Sequence, residues 1–224
     1  MESVRIPSRE EFRRALVQKQ GEDIVQKLEQ ATVAICGVGG LGSNVAINLA
    51  RAGIKKLILV DFDRVDVTNL QRQQYKASQV GEPKAFALVE NLKEIAPYTE
   101  FEAYDEKITE ENIDKFVANA DVVCEAFDNP ETKSMLVNAV LEKYPQKYLV
   151  AASGMAGSDD ANSIKTRKIS KHFYLCGDGK SDVTQGLSLL APRVQICAAH
   201  EALTIIRIIA GLEVCQNSFA CPLC

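Results

Sequence analysis

The sequence lacks any long apolar segment: nowhere do 18 or more apolar residues follow one another. A membrane-spanning helix needs about 20 such residues, so no spanning helix is expected. The first residues, MESVRIPSREEFRRAL, are charged and hold no apolar core, which argues against a signal peptide. The net charge is −4, so the chain also lacks the excess of positive charge that is usual in nucleic-acid-binding proteins. We therefore expect a cytoplasmic protein that binds neither membrane nor nucleic acid.

Repeats and low-complexity tracts are also absent. The seven cysteines are an odd number, and in a reducing compartment disulfides are not expected. Cys36 and Cys124 stand inside apolar runs, where a cysteine behaves as a small buried hydrophobe. The 224 residues, 46% of them hydrophobic, predict one globular domain with a sizeable core.

Apolar runs alternate with segments of helical periodicity along most of the chain. One or two helices are expected over 8–30. The runs predict strands over 31–37, 55–61, 100–103, 120–127 and 147–153, with helices over 43–52, 84–95, 110–119, 130–144 and 192–212. This order predicts an α/β fold, with a doubly wound, mostly parallel Rossmann-like sheet and helices on both faces. Residues 154–190 predict an irregular extension of loops and short strands.

A glycine-rich motif, GVGGLG at 37–42, lies between the first predicted strand and its helix. Glycines let the backbone approach a phosphate, and a helix N-terminus offers unpaired N–H groups to it. Asp61 ends the second strand, where a carboxylate can hold ribose hydroxyls. The motif therefore predicts a nucleotide site, and a tight glycine turn without a ligand is the alternative.

Charged residues beyond the glycine motif favour nucleotidyl transfer over hydride transfer. FDRVDVTNLQRQ follows Asp61, Lys84 stands in GEPKA, and AFDN carries Asp128. Cationic side chains and a carboxylate that holds Mg²⁺ would stabilise a reacting triphosphate. Alternatives are that Asp61 caps a turn, that Arg72 and Lys84 are solvated surface charges, and that Asp128 is a helix N-cap.

Together these motifs resemble a known family. GVGGLG, VDFD at 60–63, NLQRQ at 69–73, the lysine of GEPKA and the Asp-Asn of AFDN resemble the ubiquitin-activating-enzyme superfamily, and within it the ThiF/MoeB-type sulfur-carrier protein adenylyltransferases. The resemblance runs from about residue 12 to 212, and HFYLCGDGKSD with GLSLLAPRV is similar to a short ThiF-like branch. It implies ATP-dependent adenylation of the C-terminal Gly-Gly carboxylate of a small ubiquitin-like (ThiS-like) sulfur carrier, release of pyrophosphate, a role in thiamine biosynthesis, and a homodimer.

The resemblance also implies roles for individual residues. Catalytic roles fall to Arg72, Lys84, Asp128 and an N-terminal arginine, for which Arg14 is preferred over Arg13, reaching the neighbouring subunit's γ-phosphate. Asp128 would hold Mg²⁺. Nucleotide-binding roles fall to Gly37, Gly39, Gly40, Asp61, Asp63, Asn69, Arg72, Gln73, Lys84 and Asn129. Residues 1–30 would form a helical arm and 31–224 the ATP-binding domain, with 154–190 holding the carrier tail.

Cysteine chemistry is not expected to add to this activity. Some relatives bind zinc through two Cys-x-x-Cys pairs, but only Cys221–Cys224 is present, and Cys176 with His172 or Cys215 would have to complete the site. Zinc is therefore not expected. Val183 and Thr184 stand where some relatives carry a reactive cysteine, which leaves Cys176 as a weak candidate nucleophile. His200 is expected to be a core or interface histidine.

Other functions stay open at this point. An NAD-dependent oxidoreductase would use the glycine motif and Asp61, but it gives no role to NLQRQ or Lys84. A non-catalytic half of a heterodimeric activating enzyme is a second alternative, although such halves lose the arginine or lysine. Within the family, the acceptor could also be a molybdopterin-pathway carrier or a carboxylate in a modified tRNA.

Overall fold

A computed structural model describes residues 5–214 of the protein. These residues form a sheet of seven strands surrounded by helices. In chain order the elements are α1 Arg9–Gln20, α2 Glu22–Leu28, β1 Thr32–Cys36, α3 Gly40–Ala52, β2 Lys56–Val60, α4 Lys84–Ile95, β3 Glu100–Tyr104, α5 Ile113–Val117, β4 Val122–Glu125, α6 Pro130–Lys143, β5 Tyr148–Ala152, β6 Lys165–Lys168, β7 Phe173–Gly177 and α7 Ala191–Ala210.

The strands are ordered β3-β2-β1-β4-β5-β7-β6. Every neighbouring pair is parallel except β6 with β7, which is antiparallel and forms one edge. The strand order reverses beside β1. The chain runs from β1 through β2 to β3 at one edge, and then crosses back to form β4 on the other side of β1. In open sheets of this kind, ligands bind at the carboxyl ends of the strands beside this reversal.

Successive strand residues face opposite sides of the sheet and enter two separate cores. Val33 and Ile35 of β1 pack beneath α3, α4 and α7, in a core that also holds Leu49 and Ile205. Ala34 and Cys36 face the other way, toward α5 and α6. The central strands β1, β2, β4 and β5 therefore lie buried on both faces, which explains why they consist of apolar runs without alternation.

Local signals in the sequence define where several helices begin and end. Ser8 caps α1 in a capping box with Glu11. Asn129 caps α6, where Pro130 occupies the first turn. Gly53 and Gly211 end α3 and α7 in the left-handed conformation that glycine adopts at low cost. These caps hold α3 and α6 with their N-termini at the carboxyl edge of the sheet.

The turn between β1 and α3 depends on two glycines. Gly37 has φ of +90°, and a Cβ there would lie 2.8 Å from the carbonyl oxygen of Ala126. At Gly42 a Cβ would lie 1.9 Å from the carbonyl oxygen of Gly37. Backbone atoms occupy both places, so no side-chain rearrangement can relieve the clash. Glycine is required because α3 packs directly against the loop that precedes it.

The structure confirms the predicted α/β fold with small differences. The helix predicted over 110–119 is shortened to Ile113–Val117, and α3 begins at Gly40 inside the glycine motif. The predicted irregular region contains two real strands, β6 and β7, which extend the sheet. Within residues 5–214, no helix is both long and apolar enough to cross a bilayer.

Replacing Gly42 by alanine should destabilise the fold by about 3 kcal/mol, the upper end of the usual cost of overpacking, because the new methyl group meets backbone. Urea unfolding of the Gly42→Ala variant measures this loss. Asn48→Ala, at an exposed position of the same helix, is the matched control and should stay within about 0.5 kcal/mol of wild type. Equal stability of the two variants would contradict the packing described for Gly42.

Candidate active site

A cleft of about 630 Å³ opens at the carboxyl ends of the central strands. The residues around it come from the loops after β1, β2, β3, β4, β5 and β7 and from the first turns of α3, α4, α6 and α7. It brings together most of the nucleotide-site residues predicted from the sequence, namely Gly37, Gly39, Gly40, Asp61, Asp63, Arg72, Gln73, Lys84, Asp128 and Asn129. Asn69 and Arg14 are not among its lining residues.

The N-terminus of α3 meets this cleft without a side-chain cap. Gly39 stands at the N-cap position and provides no side-chain hydrogen bond, and the first turn contains no acidic residue. Gly39 and Gly40 line the cleft. An uncapped helix N-terminus carries unpaired N–H groups and partial positive charge, so it can bind an anion such as a phosphate.

Asp61 is a buried carboxylate, 8% exposed, that holds the glycine loop in place. Its Oδ2 accepts a hydrogen bond from the backbone N–H of Val38 at 2.7 Å, and its Oδ1 accepts one from that of Asp63 at 2.8 Å. Burial raises the pKa of Asp61, while the two backbone hydrogen bonds and Lys84 oppose that rise. Asp61 thus shapes the nucleotide loop, in addition to the ribose contact expected from the sequence.

Lys84, in the first turn of α4, is buried and forms an ion pair with Asp63. Its Nζ lies 2.8 Å from Oδ2 of Asp63, and the side chains are 7% and 50% exposed. The backbone N–H of Lys84 donates to the carbonyl of Asp63 at 2.9 Å. The ammonium group has three donors and a single carboxylate partner in the described residues, so it can also meet an anion in the cleft.

Arg72 and Gln73 follow a short helical turn that Asn69 organises. The backbone N–H groups of both residues donate to the carbonyl of Asn69, at 3.1 and 3.0 Å. A Cβ at Gly40 would lie 3.6 Å from Nε of Arg72, so the guanidinium lies against the glycine loop. Gln73 is 7% exposed, and within residues 5–214 its Oε1 is a buried polar atom without a hydrogen-bond partner. Such an atom beside a cleft can accept a hydrogen bond from a ligand or a water molecule.

Asp128 is exposed in the cleft, three residues after β4. The N-cap of α6 is Asn129, whose Oδ1 accepts a hydrogen bond from the backbone N–H of Thr132 at 2.9 Å. The capping role considered for Asp128 is therefore wrong. In the described part of the chain, the Asp128 carboxylate takes part in no hydrogen bond or ion pair. It is available to a cation or a ligand.

Two buried glutamates, Glu125 and Glu201, were not identified from the sequence. Glu125 is fully buried, its Oε1 accepts from the backbone N–H of Phe127 at 2.7 Å, and Lys133 of the cleft lining forms an ion pair with it. Burial raises the pKa of Glu125, and Lys133 opposes that rise. Burial and the charge of Glu125 raise the pKa of Glu201 well above its ordinary value. Burial of Glu201 thus favours its protonated form.

Lys107 also lines the cleft and belongs to no motif, and it lies beside Phe62 of the VDFD motif. The ammonium group of Lys107 lies 5.9 Å from the centre of the Phe62 ring, close enough for a cation–π contact, and Phe62 is 52% exposed. They are 45 positions apart in sequence, so only the fold brings them together. Lys133 also lines the cleft, and the sequence gives a weak signal for it: it stands one helical turn after Asn129, so both side chains lie on the same face of α6.

The remaining predicted residues lie away from the cleft. Arg14 is exposed on α1, and within residues 5–214 it takes part in no ion pair. Arg13 pairs with Glu22 and with Glu29. Cys36 and Cys124 are buried as expected, and Cys176 is buried on β7 outside the cleft lining.

His200 is half-buried, and its Nδ1 lies 3.0 Å from Oγ1 of Thr166. Burial lowers the pKa of His200. His172 lies at the surface, where its Nδ1 is 3.0 Å from the carbonyl oxygen of Pro145. The terminal cysteines considered for zinc, Cys215, Cys221 and Cys224, lie outside the described residues. Within those residues, no group of three or more histidine, cysteine or acidic side chains is placed to hold a metal.

Comparison with known proteins identifies the family. Residues 12–221 match the ThiF family, so the chain belongs to it, as predicted. The tRNA threonylcarbamoyladenosine dehydratase of Bacillus subtilis is 35% identical over 67% of this chain and 59% of its own length. The sulfur carrier protein adenylyltransferase of Thermus thermophilus is 35% identical over 58% of this chain and 48% of its own. The chain thus spans about half the length of these curated relatives.

A longer match is made with the sulfur carrier protein ThiS adenylyltransferase of Escherichia coli, which is 28% identical over 84% of this chain and 76% of its own length. Among solved structures, the E. coli tRNA N6-threonylcarbamoyladenosine dehydratase TcdA, crystallised with ATP, superimposes with a TM-score of 0.81. That likeness covers 92% of this chain and 98% of the other at 21% identity, and it shows a shared fold.

The raised pKa of Glu201 leads to a prediction about stability and pH. A carboxyl group whose pKa is raised on folding stabilises the protein below its ordinary value of 4.5, and this contribution is lost as pH rises toward the folded pKa. Glu201→Gln keeps the shape and cannot ionise. We expect the melting temperature of Glu201→Gln, relative to wild type, to increase progressively above about pH 4.5. Calorimetry from pH 4 to 8 measures it.

The control for this series is Glu131→Gln, because Glu131 is exposed on α6 and stands outside the cleft lining. Its melting temperature should follow that of wild type at every pH. A constant difference between Glu201→Gln and wild type across the series would mean that Glu201 ionises normally in the folded protein.

Proposed function

We propose that this protein uses ATP to adenylate the C-terminal carboxylate of a small Gly-Gly-tailed sulfur-carrier protein, releasing pyrophosphate. One observation carries the proposal: Asp128, a carboxylate with no partner in the described residues, faces the same cleft as Arg72, Lys84 and the uncapped end of α3. A cleft with positive groups and one available carboxylate matches a metal-bound polyphosphate. Membership of the ThiF family supports the same activity.

In this mechanism the glycine loop and the N-terminus of α3 bind the phosphates of ATP, and Asp61 holds the ribose while it fixes the loop. Arg72 and Lys84 stabilise negative charge that builds up on the phosphates during the reaction. Gln73 and Asn129 supply amide groups for further contacts. The attacking carboxylate is itself a nucleophile, so the step requires positioning and charge stabilisation and needs no covalent enzyme intermediate.

Magnesium fits this site through the ATP phosphates. Mg²⁺ is commonly held by one or two carboxylates together with phosphate oxygens and water, so a single protein carboxylate is sufficient. Asp128 would provide that carboxylate, and the ion would neutralise phosphate charge. The unpartnered Oε1 of Gln73 is a further sign that the cleft is built around a ligand.

The acceptor is proposed to be a ThiS-like carrier, which would connect the protein with thiamine biosynthesis. The E. coli relative of that name has the longest of the three matches given above. The acceptor end of the cleft is lined by Met155, Val183 and Leu189, with the carboxylate of Asp182 beside them. Apolar groups suit an extended peptide tail, whereas an acidic group opposes the phosphates of a tRNA. A second carrier of the same kind, from the molybdopterin pathway, would fit equally.

A homodimer is part of this proposal, because Arg14 has no partner in the described part of its own chain and lies outside its own cleft. From the neighbouring subunit it would contribute a further positive charge to the triphosphate.

Asp128→Asn should lower the rate of carrier-dependent ATP–pyrophosphate exchange by about a hundredfold or more, since the site would lose the charge that holds Mg²⁺. The assay contains Mg²⁺, radiolabelled pyrophosphate and a β-grasp protein ending in Gly-Gly. Glu131→Gln removes a nearby exposed carboxylate outside the cleft and serves as the control, with activity equal to wild type. Exchange by Asp128→Asn at the wild-type rate would contradict the role of Asp128.

If wild type shows no exchange with any Gly-Gly carrier and instead binds NAD(H) tightly, the adenylation proposal is wrong and the oxidoreductase alternative replaces it.

A further inference from the structure

Arg193, in the first turn of α7, is a buried arginine whose side chain is 5% exposed and is absent from the cleft lining. Its guanidinium uses all three nitrogens as donors. The acceptors are the carbonyls of Ala156 at 3.1 Å, Asp159 at 2.8 Å and Asp160 at 3.1 Å, together with Oγ of Ser163 at 3.1 Å and Oδ2 of Asp178 at 2.6 Å. One side chain thus holds the loop after β5 along most of its length.

Asp178, just after β7, connects a second loop to the same arginine. Its side chain is 1% exposed, and its Oδ1 accepts hydrogen bonds from the backbone N–H groups of Lys180 and Ser181, at 2.8 and 2.9 Å. A Cβ at Gly154 would lie 2.1 Å from that Oδ1, so the first loop packs directly onto the carboxylate. The ion pair therefore fixes two loops against each other.

Both loops line the cleft, on the side away from the residues proposed to bind the nucleotide. Ser153 to Ala156 and Ser181 to Val183 follow β5 and β7, whereas the glycine loop, Asp61 and the Lys84 turn follow β1 and β2. β4, which precedes Asp128, lies between these two groups of strands in the sheet. The cleft is thus divided along the sheet edge into a nucleotide half and a second half.

We propose that Arg193 and Asp178 are positioning residues that hold the second half of the cleft in the shape that receives the acceptor's carboxyl-terminal tail. The inference rests on the adenylation function proposed above and extends it to residues that touch neither ATP nor acceptor. These two loops contain little regular secondary structure that could fix their conformation. A buried hydrogen-bond network in which every donor of the guanidinium is used can fix it instead. The acceptor's carboxylate must be placed accurately because positioning is the main source of rate enhancement in such a transfer.

The test uses the double variant Arg193→Gln with Asp178→Asn. Removing Arg193 alone would leave the buried Asp178 carboxylate without its cation and could prevent folding, whereas removing both charges avoids that cost. Asp178→Asn alone is the second variant, since Arg193 keeps its four other acceptors and the asparagine oxygen can still accept from the Lys180 and Ser181 amides. Lys180→Gln is the control: it breaks the exposed pair with Asp159, at 3.9 Å, in the same loops. Circular dichroism establishes folding.

Two quantities are measured on each protein: the Kd for ATP by equilibrium dialysis, and the KM for a Gly-Gly-tailed β-grasp carrier in pyrophosphate exchange. We expect the double variant to raise the KM for the carrier at least about tenfold, the effect of 1.4 kcal/mol, and to keep the Kd for ATP within about twofold of wild type. Lys180→Gln should match wild type in both. A general loss of structure would weaken ATP binding as well, so the separation of the two constants identifies positioning.

An unchanged KM for the carrier in the double variant, or a parallel loss of ATP affinity, would overturn this inference while leaving adenylation intact. If the double variant does not fold, the same criteria apply to Asp178→Asn. Absence of exchange in wild type is a different outcome: it contradicts the proposed function, and the inference falls with it.

Discussion

The carboxylate of Asp61 accepts hydrogen bonds from two backbone N–H groups, that of Val38 in the glycine loop and that of Asp63 in the turn after β2. Through Asp63 it is connected to Lys84, whose ammonium group pairs with the Asp63 side chain. A buried carboxylate is costly unless it is hydrogen-bonded, so the loop and the turn must adopt the conformations that bring those N–H groups to it. Asp61 thereby sets the position of the glycine loop relative to the lysine, and both are proposed to meet the phosphates.

Opposite charges in the cleft follow from the order of the strands. The chain reverses between β1 and β4, so the uncapped N-terminus of α3 and the carboxylate of Asp128 face one opening. The α6 helix begins with its own cap, Asn129, which leaves the Asp128 side chain available. The positive end of one helix and a neighbouring unpaired carboxylate would hold a polyphosphate and its metal ion with little rearrangement.

Features encoded locally in the sequence were predicted well, and those that depend on distant partners were not. Apolar runs predicted the four central strands β1, β2, β4 and β5, because a strand buried on both faces has few polar positions. The edge strand β3 was also predicted, although EFEAY is not an apolar run. The glycine motif, Lys84 and Asp128 were found because each lies at the end of a predicted strand or the start of a helix. The pairing of Arg193 with Asp178 joins α7 to a loop 15 residues earlier, and no periodicity marks it.

The same limit applies to single side chains. Asp61 was correctly located, but its contact with Val38 could not be inferred, since it depends on how closely the loop approaches β2. Glu201 stands in an apolar helix, where its complete burial against Cys124 becomes visible only once α7 is packed on the sheet. The nucleotide-binding role of Asn69 stays a prediction, and the support that its carbonyl gives to the backbone of Arg72 and Gln73 could not be inferred from the sequence.

The central claim is that the cleft activates a carboxylate by transfer of AMP. The most direct measurement labels the terminal carboxylate of a Gly-Gly carrier with heavy oxygen, incubates it with ATP, Mg²⁺ and the protein, and releases the product with hydroxylamine. Attack of the carboxylate on the α-phosphate predicts that the AMP released carries one heavy oxygen, as seen by mass spectrometry. Formation of ADP and labelled phosphate, or of AMP without label, would contradict the account.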